Sequence, residues 1–111
     1  MIVYHVTPAE NIPSIMEHGL IPQVGARSIL MDELPSLFFF ESKDALENAL
    51  SNWLGDAFDE DEELTILQVD VPEDWLMSTP ADYELVCTTV VPPRMIDKVM
   101  PEPSWNVFFS L

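Results

Sequence analysis

Tyr4-His5-Val6-Thr7 sets an imidazole and a hydroxyl two positions apart in a β-prone stretch. Alternate side chains of a strand share a face, so His5 looks one way with Val3, and Tyr4 and Val6 look the other. A neutral imidazole offers one donor and one acceptor, which suits a pair of sugar hydroxyls. A strand histidine also commonly bonds a neighbouring backbone group, and the residues alone leave both readings open. Asp82-Tyr83-Glu84 opens a second β-prone stretch, with its two carboxylates on one face and Tyr83 on the other. There one carboxylate can stabilise a developing cationic carbon while the other receives a proton; a plain polar strand edge is the alternative. Arg27 lies in the irregular segment Gln23-Val24-Gly25-Ala26-Arg27-Ser28, where its fork fits a phosphate or a carboxylate, or else an ordinary salt bridge.

Other reactive residue types carry less. Six of the eight residues from 56 to 63 are acidic, but the run lacks the glycine and ligand spacing of a calcium loop and reads as solvated. No Cys/His cluster has zinc spacing, so no metal is expected. Cys87, the single cysteine, has no cation near it in sequence and reads as a small core residue.

These groups need elements to hold them. Residues 2–6 read as a strand. Thr7, Pro8 and Glu10 then have the spacing of a helix cap, first-turn proline and capping box, with Ile12, Ile15 and Met16 on one face and Gly19 as the stop. Residues 20–36 read as an ordered loop or broken helix, and Leu37 to Phe40 as a buried strand. Ser42 caps a second helix whose apolar face is Ala45, Leu46, Ala49, Leu50, Trp53 and Leu54, ended by Gly55. Leu64 to Val71 and Tyr83 to Val91 read as strands, and Pro72 to Pro80 as a loop anchored by Trp75 and Leu76. A helical turn is expected at Met95 to Met100 and a last strand at Trp105 to Leu111. The sum is one α+β domain over residues 1–111, with strands outnumbering helices.

Charge narrows the function. There are 20 Asp and Glu against 4 Lys and Arg, a formal net charge of −16. Four cations neutralise few phosphates, so a nucleic-acid or anionic-membrane partner is unexpected, whereas a neutral or basic protein surface fits. No apolar run approaches the ~20 residues that span a bilayer. The N-terminus shows no basic, apolar and small-residue succession, which favours the cytoplasm. Three glycines are too few for a Rossmann or Walker phosphate loop.

The order of the motifs is more telling. Tyr4-His5-Val6-Thr7, then Ile15-Met16-Glu17-His18-Gly19-Leu20, Arg27-Ser28, the aromatic run Leu37 to Phe40, Ala45, Tyr83-Glu84-Leu85-Val86 and Pro92-Pro93-Arg94-Met95-Ile96 follow one another over residues 3–99. This succession resembles the ADP-ribosyltransferase-like superfamily, especially its small bacterial branches, the RNA 2′-phosphotransferases and the DNA-modifying ADP-ribosyltransferases. The resemblance implies a compact, split two-sheet domain with two main helices, using NAD as substrate for ADP-ribose transfer or NAD hydrolysis. It implies that His5 bonds the nicotinamide-side ribose and that Thr7 holds that ribose or caps the adjoining helix. Arg27 would meet the diphosphate or adenosine side, and Ser42 would stand at the second motif's hydroxyl. Glu84 would bond the ribose 2′-hydroxyl and stabilise the oxocarbenium-like transition state. Asp82 and Tyr83 would face the acceptor, and Asp82 is shorter than the Glu or Gln that arginine-modifying members carry there. On that basis His5, Arg27 and Glu84 should line one cleft between two sheets. A non-catalytic acidic protein on the same scaffold, such as an inhibitor or immunity factor covering a basic surface, is the second expectation.

Overall fold

The computed structural model describes residues 1–23, 35–52, 63–78 and 84–101. Arg27, Asp82, Tyr83, most of the acidic stretch, the end expected for the second helix at Trp53 to Gly55 and the strand expected at 105–111 lie outside them.

The fold is built on β1 (Ile2–Pro8), whose β-branched and aromatic residues favour an extended chain. It pairs antiparallel with β3 (Leu64–Asp70) along its whole length, from Ile2 opposite Asp70 to Pro8 opposite Leu64. On its other edge β1 meets β2 (Leu37–Phe40) at a single register position, Tyr4 opposite Phe40. β5 (Glu84–Cys87) pairs with β2, and the two-residue β4 (Met77–Ser78) closes that side. β6 (Ile96–Pro101) closes the other side against β3. The described strands therefore form one antiparallel sheet in the order β4-β5-β2-β1-β3-β6. One sheet stands where two were expected, and its β1–β2 contact is narrow, a single register pair.

One helix covers each face, α1 (Ile12–His18) and α2 (Lys43–Asn52). Val3, Leu37, Phe39, Leu67, Val69 and Cys87 gather with Ile15, Leu20, Val71 and Val91 on the α1 side. Val6, Phe40, Leu64 and Ile66 gather with Leu46 and Ala49 on the α2 side. This double cover explains why four consecutive residues, Leu64 to Leu67, are buried on β3 where alternation alone would bury two. Fully buried side chains such as Phe39 and Leu67 each contribute roughly 1.5–3 kcal/mol through removal from water.

Two local expectations are corrected. The first helix does not start at Thr7-Pro8. The Ala9 amide donates to the Glu63 carbonyl at 2.8 Å, which carries β1 through Pro8, and a 3-10 turn (Ala9–Asn11) intervenes before α1. Pro13, not Pro8, is then the first-turn proline, and Thr7 stays on the strand. The helical turn expected at 95–100 is mostly β6, because the open edge of β3 accepts Ile96 to Pro101 as a partner. A register shift at Gln68/Val69 leaves Asp97 as the extra residue of a bulge, and its carboxylate accepts from Gln68 Nε2 at 2.9 Å.

Gly19 ends α1 as expected. Its φ of +85° lies in the left-handed region, and its amide donates to the Ile15 carbonyl at 2.7 Å. Leu20 and Val91 then exchange both backbone hydrogen bonds, at 2.8 and 2.9 Å. The chain passes so close that a Cβ on Gly19 would stand 2.3 Å from the Val91 carbonyl oxygen.

Candidate functional site

Beyond Tyr4, β1 and β2 diverge like the arms of a fork, since no register pair follows Tyr4↔Phe40 toward Pro8 and Leu37. A pocket of roughly 380 Å³ occupies the opening, a volume typical of small-molecule sites. His5 and Thr7 of β1 form one wall, and Ser36, Leu37 and Phe38 at the start of β2 form another. Asn11 of the 3-10 turn and Ser14 and Ile15 of α1 close it on one side, and Gly19, Leu20, Ile21 and Gln23 from the segment after the helix.

His5 sits in the fork. Its Nδ1 lies 2.8 Å from the Phe38 carbonyl oxygen, and its ring is tilted 56° against Phe39 at 5.5 Å. A carbonyl only accepts, so Nδ1 carries the proton and Nε2 keeps the lone pair. Desolvation lowers the pKa of His5 and outweighs the opposing effect of the Phe38 bond, so the ring is held neutral. The backbone-bonding reading of His5 is the one the geometry shows, and the residue also lines the pocket. Thr7 is 5 % exposed, and its Oγ1 accepts from Asn11 Nδ2 at 3.3 Å. The strand spacing puts His5 and Thr7 about 7 Å apart along one face.

Glu84 is elsewhere. It is 1 % exposed and stands opposite Phe40, which stands opposite Tyr4. Directly paired residues share a face, and neighbours along a strand do not. Glu84 thus points to the α2 face with Tyr4 and Phe40, while His5 points to the α1 face opposite Leu67. It also lies at the closed end of the fork, and it does not line the pocket. The expected convergence of His5 and Glu84 in one cleft is not found.

Ser42 is the helix cap that its position suggested: its Oγ accepts from the Ala45 amide at 3.0 Å. It does not line the pocket. The hydroxyl on the β2 side of the pocket belongs to Ser36, which also forms a two-bond bridge with Gln23 at 3.0 and 3.3 Å.

Sequence reasoning missed Asn11, Ser14 and Ser36. Asn11 follows Thr7 by four residues, and Ser36 immediately precedes the apolar run of β2; these spacings were the available signals. Among the described residues no group of acidic, His or Cys side chains is placed to hold a metal. No described helix is long and apolar enough to cross a membrane. Compared with known protein families and with curated proteins, the chain matches none.

Proposed function

We propose that this chain binds NAD in the β1–β2 fork, as an ADP-ribosyltransferase-like protein whose split domain is expressed as two halves of one sheet. The observation that carries this reading is the neutral His5, fixed through Nδ1 with Nε2 left as an acceptor beside Thr7. A ribose hydroxyl donates to Nε2, and its neighbour meets the Thr7 hydroxyl. The narrow junction between the β4-β5-β2 and β1-β3-β6 halves supports the split-domain part of the reading.

Such a site binds the nicotinamide-side ribose, and the rest of the dinucleotide extends toward the pocket mouth. Transfer or hydrolysis needs a carboxylate at the ribose, and Glu84 faces the other way. Glu84's placement favours the non-catalytic form of the proposal, in which NAD is held without turnover. The acidic composition supports a neutral or basic protein surface as a further partner.

A melting experiment tests the reading. Millimolar NAD should raise the Tm of the wild-type chain, since a ligand at 100 times its Kd stabilises by about 2.7 kcal/mol. His5→Ala should remove the shift. A wild-type Tm indifferent to millimolar NAD would overturn the proposal, and release of nicotinamide would overturn its non-catalytic form.

A further inference from the structure

Continuing the Tyr4↔Phe40 register by two residues on each strand would set Val6 opposite Phe38. That pair is not made. The Phe38 carbonyl accepts a hydrogen bond from the His5 side chain, at 2.8 Å, and the His5 ring also packs on Phe39. β1 is meanwhile held along its other edge by the full-length ladder to β3, so it is already extended and shaped for pairing. Val6, the position on the β2-facing edge that would meet Phe38, carries an amide proton, so that one pair is covalently possible, whereas Pro8, next on the same edge, has none. The pocket exists only where that second ladder is missing: His5 and Thr7 are on one arm and Ser36 to Phe38 on the other.

We propose that His5 is the wedge that keeps the fork open, its Nδ1–H replacing a main-chain donor at the Phe38 carbonyl and so stopping β1 and β2 from zipping shut. In this role His5 is a positioning residue for the whole pocket. The function belongs to Nδ1 and is independent of whatever meets Nε2. Removing the imidazole takes a hydrogen bond from a carbonyl inside the sheet, and the β1 donor that a register pair would bring to it is the Val6 amide. Each new backbone bond then draws the arms together at the expense of the pocket.

The two nitrogens can be separated by substitution. The side-chain amide of Asn reaches about as far as Nδ1, so His5→Asn keeps the bond to Phe38. His5→Ala has no donor, and His5→Val has none while remaining a good strand former. NMR of the labelled full chain reads the outcome directly. Paired Cα atoms of antiparallel strands lie about 4.5–5.5 Å apart, close enough for cross-strand NOEs. NOEs between the Val6 and Phe38 backbones should be absent in wild type and His5→Asn and present in His5→Ala and His5→Val. His5→Asn should also melt above His5→Ala. If His5→Ala does not fold, His5→Val carries the same comparison, and if neither folds the rescue by Asn remains the readout. An open fork in every folded variant, zipping in His5→Asn, or no rescue by Asn would overturn the proposal. No ligand enters the NOE measurement, so its failure is distinct from failure of the NAD reading.

Discussion

His5 donates from Nδ1 to the Phe38 carbonyl at 2.8 Å, across the gap where β1 and β2 cease to pair. One contact thus ties the tautomer of the imidazole to the opening of the pocket that the imidazole lines.

The same contact fixes a pH dependence. Burial lowers the His5 pKa in the folded chain, while the unfolded chain keeps the ordinary value of 6.5. Below that value the unfolded state binds more protons, so stability falls as pH falls, until the folded His5 also titrates. Denaturant unfolding between pH 7.5 and 5 should therefore show a loss of stability that His5→Gln lacks. In a His18→Gln background the remaining imidazole signal should titrate below 6.5. A midpoint at or above 6.5 would contradict the half-buried, neutral ring.

Gly19 is a packing constraint on the pocket wall. A methyl group there meets the Val91 carbonyl at 2.3 Å and also forces an L-residue to φ +85°. Gly19→Ala should cost roughly 2–4 kcal/mol, from the left-handed backbone together with overpacking. Thermal denaturation measures it. A loss below about 0.5 kcal/mol would show that the Leu20–Val91 bridge yields easily.

Ser42 separates a helix cap from a ligand contact. Ser42→Ala should destabilise by about 1 kcal/mol through loss of the bond to the Ala45 amide. NAD affinity should stay within twofold of wild type, because Ser42 is outside the pocket. A tenfold loss of affinity without a stability change would restore the role implied by the motif order.

Glu84 separates binding from chemistry in the same way. It is buried on the α2 face, so Glu84→Gln should leave NAD affinity within twofold of wild type. Calorimetric titration of both proteins checks this. Loss of binding in a folded Glu84→Gln protein would mean that the carboxylate reaches the ligand after all.

Several elements were legible because short-range chemistry decided them. Gly19 stops α1, Ser42 caps α2, and Leu37 to Phe40 is a strand for reasons contained within a few residues. The misread segments were decided at long range. Thr7-Pro8 has a cap's spacing, yet the Glu63 carbonyl, more than fifty residues away, draws Ala9 into the sheet. Residues 95–100 look ambiguous locally and become a strand because β3 has an open edge. The site shows the same division. His5 shares a face with Val3 by simple alternation, as the sequence predicted, whereas Thr7 joins them only because β1 runs on through Pro8. The face of Glu84 depends on a register passed from Tyr4 through Phe40, which alternation within either strand alone cannot supply. Asn11, Ser14 and Ser36 reach the pocket only because the fork opens beside them.

The most direct measurement is a calorimetric titration of NAD into wild type and His5→Asn, the variant that keeps the Phe38 bond but lacks the Nε2 acceptor. Wild type should bind, and His5→Asn should bind at least tenfold more weakly, a difference of about 1.4 kcal/mol. Equal affinity in the two proteins, or no binding heat in wild type at millimolar NAD, would contradict NAD recognition through His5 in the β1–β2 fork.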